Sequence, residues 1–323
     1  MSSLQQKSES IDVLIRPLRE ADLADADRIT RLAFGTFLGL PDPTQFMGDA
    51  GYVATRWKAD PQAAFAAELN GELVGSGFAT HWGSVGFFGP LTVRPDLWGR
   101  GVASRLLVPI LETFDRWGVR HRGLFTFPHS TKHVHLYQKF GFWPRSLTAL
   151  MSSPVCNVQG SPQYLRFSEL TSAEQLSQLA ACRGLTDSVY PGLDVSQEIQ
   201  AAHAQQLGET VLLRDGQSLV GLAVFHCGAG TEAGSGKLYI KFGAVRPSPD
   251  SGRHFAELLD ACQAEAQRRG AQKIVAGMNM ARHEAYRQML ARGFRADMQG
   301  VTMHSPNEPG YSIEGVYLID DWR

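Results

Sequence analysis

Cysteine is scarce in this chain. There are four in 323 residues (Cys156, Cys182, Cys227 and Cys262), and none lies near another in sequence. That spacing excludes a paired metal motif, and reduced thiols in a cytoplasmic protein are the expectation. An excess of charge is also missing. Lys and Arg total 31 against 32 Asp and Glu, so there is no global pull towards nucleic acid or an anionic membrane. No apolar run reaches the length of a membrane span. The opening "MSSLQQKSES" has no apolar signal region, so export is not expected. What is present is ordinary: 43% hydrophobic and 20% charged residues, enough apolar material for a sizeable core in each half of the chain. The length suggests two domains.

The chain repeats itself. "VRP" occurs at Val93–Pro95 and again at Val245–Pro247, 152 residues on (245 − 93). "GF" at Gly141-Phe142 returns at Gly293-Phe294, at the same offset (293 − 141). Leu106-Leu107 matches Leu258-Leu259, and Gly118 matches Gly270. A shared offset over about 50 residues indicates two copies of one unit. The seam is expected within Ser152–Pro162, rich in structure-breaking residues, which gives domains 1–155 and 156–323.

Periodicity predicts the elements of the first copy in order. "DVLIRPL" reads as a strand and "READLADADRITRLAFGTF" as a helix. "AFAAELNGELVGSGFAT" reads as a hairpin turning at Asn70-Gly71. After the strand "VGFFGPLTVRP" comes a helix from Val102 to Trp117, with apolar residues at 102, 106, 107, 110, 111, 114 and 117 and a kink expected at Pro109. The strand "RGLFTFP", the helix "TKHVHLYQKF" and the strand "RSLTALMSS" close the copy, and the second copy follows the same order. The predicted class is α/β, with a mixed sheet flanked by helices in each domain.

"LTVRPDLWGRGVASRLL", Leu91–Leu107, carries the chemistry. A strand meets Pro95 and turns, and Gly99 and Gly101 bring bare backbone to a helix start. The first amides of a helix lack internal partners and carry partial positive charge, so they suit an anion and above all a phosphate. Arg100 adds a charged donor. Two readings stand for this loop alone: a pyrophosphate cradle, or a tight turn with a solvated arginine.

This stretch, followed by "LYQKFGFWPR", resembles the GNAT superfamily of N-acetyltransferases. There a strand with an L-x-V-x-P stretch enters a Q/R-x-x-G-x-G/A loop. Aligned from Asp96, the loop here runs to Gly101 and departs from the usual Gln or Arg at its first position. The resemblance implies two tandem GNAT-like domains, with acetyl-coenzyme A as cosubstrate of the first. It places the pantetheine arm along Leu91, Thr92 and Val93, and the pyrophosphate on Trp98, Gly99, Arg100, Gly101, Val102 and Ala103. It makes Tyr137, four residues before Gly141-Phe142, a general acid towards the leaving thiolate. A phenol of ordinary pKa near 10 suits that thiol.

An amine acceptor must also lose a proton. His129, at the end of a predicted strand, and His81, at the end of the hairpin, are the candidate bases. His129, His133 and His135 do not read as a zinc site, and no metal is expected. Phe34–Asp49 is a candidate loop over the acceptor, with Asp42 and Asp49 as attractors of a cation. In the second copy Ser251, Arg253 and Met289 replace Gly99, Gly101 and Tyr137. Core spacing is kept while site chemistry is lost, as in a degenerate partner domain. Transfer of acetyl to a small-molecule or peptide amine in a ternary complex is the expected function. A non-catalytic acyl-coenzyme A sensor is the alternative. A nucleotide-binding protein is disfavoured, because neither G-x-G-x-x-G nor a G-K-[ST] ending is present.

Overall fold

The computed structural model describes residues 11–156 and 162–322; the opening decapeptide and part of the expected seam lie outside these. The first repeat runs β1 (Leu14–Pro17), α1 (Leu23–Phe37), α2 (Val53–Ala59), β2 (Ala64–Leu69), β3 (Glu72–Trp82), β4 (Val85–Val93), α3 (Val102–Arg116), β5 (His121–Thr126), α4 (Thr131–Gln138) and β6 (Trp143–Pro154). The second runs β7 (Tyr164–Arg166), α5 (Ser172–Val189), α6 (Ser196–Ala204), β8 (Gly208–Asp215), β9 (Ser218–Gly228), β10 (Gly234–Val245), α7 (Ser251–Arg268), β11 (Lys273–Asn279), α8 (His283–Ala291) and β12 (Arg295–Ser305), followed by the short β13 (Leu318–Ile319). The order is the same in both, as the sequence periodicity predicts.

The chain forms two compact units. The smaller holds the described residues up to Gly48, then Tyr52–Thr80 and Phe88–Trp117; the larger holds Asp49–Gly51, His81–Phe87 and everything from Gly118 on. In the smaller unit β1 pairs with β2, and β2 with β3, antiparallel. The β2–β3 turn uses left-handed Asn70 and Gly71 (φ 52° and 83°), as the Asn-Gly pair predicts. The segment "VGSGFA" explains the packing of the two faces of β3. Phe78 joins Leu18, Ala26, Val53, Ala64 and Ala66 in a core beneath α1 and α2. Gly75 and Gly77 face the other way, towards Leu106 and Ile110 of α3; a Cβ at Gly75 would stand 2.7 Å from the Thr92 carbonyl and one at Gly77 2.9 Å from Ile110 Cδ1. The helix α3 buries Val102, Leu106, Leu107, Ile110 and Phe114 of the predicted stripe, and Leu111 and Trp117 are half-buried. Pro109 lies inside it without ending it, and the Pro109 carbonyl accepts the Thr113 hydroxyl (2.8 Å).

The larger unit owes its make-up to an exchange of closing strands. β12 lies between β5 and β6, and β6 lies between β12 and β11. Val301 faces Thr126 as Ala149 faces Met278, and Thr148 faces Gly300, its own counterpart 152 residues on (300 − 148). The pairing is therefore self-complementary, like a two-fold interface within one chain. One sheet face is covered by α7 through Phe255, Leu258, Leu259, Cys262 and Ala266. The opposite face is covered by α5 and α6 through Cys182, Leu185, Ile199 and Ala202. Among the described residues no helix is long and apolar enough to cross a membrane.

Candidate functional site

The strand–helix junction of the first repeat lies wholly in the smaller unit. β4 ends at Val93, and Arg94 opens a short turn over Pro95–Leu97. The turn closes on backbone hydrogen bonds from Leu97 to the Arg94 carbonyl (3.0 Å) and from Trp98 to the Pro95 carbonyl (3.2 Å). Asp96 braces it, because both carboxylate oxygens accept from Arg94 (2.8 and 3.1 Å), which also reaches Glu72 (3.3 Å). The Arg94 hydrogen bonds hold the Asp96 carboxyl below its ordinary pKa. Its departure from the family's Gln or Arg thus has a local role. Adjacent opposite charges in "RPD" were the signal for it.

Gly99 and Gly101 are both left-handed, at φ 79° and 83°. A Cβ at Gly99 would meet nothing within 4 Å, so conformation rather than space selects glycine there. Gly101 is the N-cap of α3 and has no side chain with which to cap it. The first helical bond runs from the Arg105 amide to the Gly101 carbonyl (3.3 Å), so the amides of Gly101–Ser104 precede the ladder. Arg105 is paired with Asp12, whereas the exposed Arg100 guanidinium has no ion-pair partner among the described residues. An exposed helix start, two left-handed glycines and an arginine with no ion-pair partner among the described residues are the features that a phosphate-bearing ligand uses.

The strand leading in is less bare. The Val93 carbonyl accepts the indole N–H of the exposed Trp98 (2.8 Å). That bond ties the lip of the loop to the strand. Thr92 is buried, and its hydroxyl meets Thr30 (3.2 Å) and Ser76 (3.4 Å), a link that sequence spacing did not reveal. Leu91 is half-buried. The ladder of β4 with β5 covers only Val85–Phe87.

Tyr137, His129 and His81 belong to the larger unit. Tyr137 sits in the last turn of α4, and the left-handed Gly141 returns the Phe142 amide to the Tyr137 carbonyl (3.1 Å). Its side chain is buried, and burial pushes the phenol pKa well up. His129 is exposed in the turn before α4, 5.9 Å from the Phe127 ring. His81 is half-buried near the end of β3. The helix N-cap is Ser130, so His129 lies outside the helix, near enough to His133 to help, after burial, to lower its pKa. Among the described residues no group of His, Cys, Asp or Glu is placed to hold a metal. Both loop carboxylates have structural work. Asp42 accepts from the Thr44 amide (3.0 Å) and hydroxyl (2.6 Å), and Asp49 accepts from the amide (2.8 Å) and hydroxyl of Ser235.

Residues 29–142 match the model of the acetyltransferase (GNAT) family. A putative acetyltransferase from Pyrococcus horikoshii superposes with a TM-score of 0.68 at 16% identity, covering 96% of this chain and 95% of that one. A GCN5-related N-acetyltransferase from Sphaerobacter thermophilus gives 0.58 at 16%, covering 94% and 96%. The glucosamine N-acetyltransferase region of a fungal multi-domain β-N-acetylglucosaminidase gives 0.62 at 13%, covering 91% of this chain and 38% of that one. No curated protein matches. The fold is that of tandem GNAT-like domains, each a mixed sheet flanked by helices. This chain carries a GNAT acetyltransferase domain in its first half.

Proposed function

We propose that the chain is an N-acetyltransferase that moves an acetyl group from acetyl-coenzyme A to an amine by direct attack within a ternary complex. The junction Leu91–Ala103 carries this reading: two left-handed glycines, a glycine N-cap and an arginine with no ion-pair partner among the described residues suit a pyrophosphate. Taken with its fourth position on the N-cap Gly101, the family loop reads Trp98-Gly99-Arg100-Gly101-Val102-Ala103, two residues further along than an alignment from Asp96. The bound cosubstrate supplies the thioester. The amides of Gly101–Ala103 and the Arg100 guanidinium hold its phosphates, and the backbone of Leu91–Val93 orients its amide arm. Tyr137 is the candidate acid towards the departing thiolate; burial keeps it protonated, and the same rise in pKa makes it a weaker donor than an ordinary phenol. His81 and His129 are the candidate bases for the amine. The first repeat, residues 1–155, holds the chemistry, and residues 156–323 support it in the cytoplasm.

The acceptor is a small-molecule or peptide amine. Amino sugars belong in the first screen, since the fungal region is named for glucosamine. A second reading, an acyl-coenzyme A-binding module without turnover, draws on the burial of Tyr137. A screen of amines with acetyl-coenzyme A, read by thiol release, separates the two. Release with at least one amine supports the transferase. One tightly bound equivalent with no release on any amine supports the module, and no binding overturns both.

A further inference from the structure

The second repeat has a backbone edge equivalent to Leu91–Val93, and the chain itself occupies it. β10 runs parallel to β11 only as far as Ile240–Ala276. After a bulge between Ile240 and Phe242, Gly243 and Ala244 pair antiparallel with Ile319 and Leu318 of β13. The Val245 amide then donates to the Tyr317 carbonyl (3.2 Å). Gly243, Ala244 and Val245 are the counterparts of Leu91, Thr92 and Val93 at the 152-residue offset (243 − 91).

The same closing segment reaches the helix start. The Tyr317 hydroxyl lies 3.2 Å from where a Cβ on Gly252 would stand, in the first turn of α7, and its ring packs on Phe255 with centroids 5.5 Å apart. Gln288 donates to the Gly252 carbonyl (3.0 Å) from the other side. Two residues of strand are a weak hold by themselves. Charge and shape supply the rest. Buried Arg282 donates to the Leu318 carbonyl (2.6 Å) and to Asp320, which also accepts the Tyr311 hydroxyl. The Tyr239 hydroxyl donates to Asp321 (3.0 Å). Trp322 lies flat against Gly123, where any side chain would collide with its ring.

We propose that Tyr317–Ile319 is an internal occupant of the second repeat's cofactor edge, standing where the amide arm of an acyl-coenzyme A lies in the first. This rests on the cofactor reading given above. The physical basis is that a strand edge needs partners for its N–H and C=O groups. A peptide segment and the amide-bearing pantetheine arm offer the same groups to such an edge, as in strand addition by a bound peptide. The first repeat leaves this role to a ligand. The second fills it from its own chain and locks the filler with a buried ion pair, which is costly to break by removing one partner. The chain therefore holds one cofactor site, and the second edge is closed irrespective of its loop sequence.

Hydrogen–deuterium exchange on the full chain, with and without coenzyme A, tests this. Peptides covering Phe242–Val245 and Tyr317–Ile319 are expected to exchange slowly without ligand and to stay unchanged at saturating coenzyme A, while Leu91–Val93 gains protection. Protection at Leu91–Val93 with faster exchange at Tyr317–Ile319 would overturn the occupant and leave the cofactor reading intact. No change at Leu91–Val93 would overturn the cofactor reading and the occupant's role with it. Asp320→Asn is the second arm. Exchange at Tyr317–Ile319 and Phe242–Val245 is expected to rise together, at least about tenfold, with Leu91–Val93 unaffected. A rise in only one of the two segments would show that they do not cover each other.

Discussion

The two strand–helix junctions show one scaffold built in two ways. In the first, Gly99 and Gly101 are left-handed and α3 starts at Val102 with no capping side chain. In the second, α7 starts at Ser251, the counterpart of Gly99 (251 − 99), so helix replaces the cradle. Ser251 then serves its own terminus: its hydroxyl donates to the Ser248 carbonyl (2.8 Å) and accepts the Ser248 amide (2.8 Å). The first junction has a glycine at the N-cap of its helix, and the second bonds Ser251 within its own turn and sets Tyr317 beside Gly252. A helix terminus needs partners in either case. In the second the chain provides them; in the function proposed above, a ligand does so in the first.

The largest effect that can break this comparison is expected from Gly101→Glu. A side chain at φ 83° and a negative charge on the helix start should abolish coenzyme A binding by calorimetry in a chain that still melts cooperatively. Retained affinity would mean that the first junction is no more a phosphate site than the second.

Tyr137→Phe follows. Turnover on the acceptor found by the screen should fall by about 10²–10⁴-fold, the range of general acid catalysis, with coenzyme A affinity unchanged. A change within about twofold would reduce Tyr137 to the packing role of its buried counterpart Met289.

A third test addresses the seat of the closing segment. His121 and His304 are buried, with ring centroids 4.7 Å apart, and both lie near Trp322. Burial first, and for His121 then its neighbour His304, pushes their pKa values down to about 3 and about 4. The folded state therefore binds fewer protons than the unfolded state between these values and about 6.5. Their contribution to stability is complete above about pH 6.5 and is lost as pH falls towards 4, by about 1.4 kcal/mol per pH unit for each ring that stays neutral. Urea titrations from pH 7 to pH 4.5 should show that slope, and His121→Phe should roughly halve it by leaving His304 alone.

The smallest effect is expected at Gly252→Ala. Gly252 is helical, and a Cβ there would meet only side-chain ends, Gln288 Nε2 at 3.1 Å and the Tyr317 hydroxyl at 3.2 Å. Stability should change by less than about 1 kcal/mol and cofactor stoichiometry should stay at one per chain. A second binding event in this variant would show that Tyr317 guards a working site.

Much of the fold was legible because it follows local rules. The buried stripe of α3, the Asn70-Gly71 turn and the glycine junction each rest on residues close in sequence, where periodicity and left-handed φ leave a direct mark. The 152-residue offset also carried real geometry, since the strand registers repeat at that spacing. Other features came only with tertiary structure. Sequence placed Asp42 and Asp49 in a candidate acceptor loop; the bond that Asp49 accepts from Ser235, 186 residues away, came only with the structure. The exchange of β6 and β12, the pairing of β13 with Gly243–Ala244 and the burial of Tyr137 depend on partners tens to more than a hundred residues away. A hydrogen-bonding edge of backbone is the same in every sequence. What fills it is decided by the segment that the fold brings alongside, and composition holds no record of that choice.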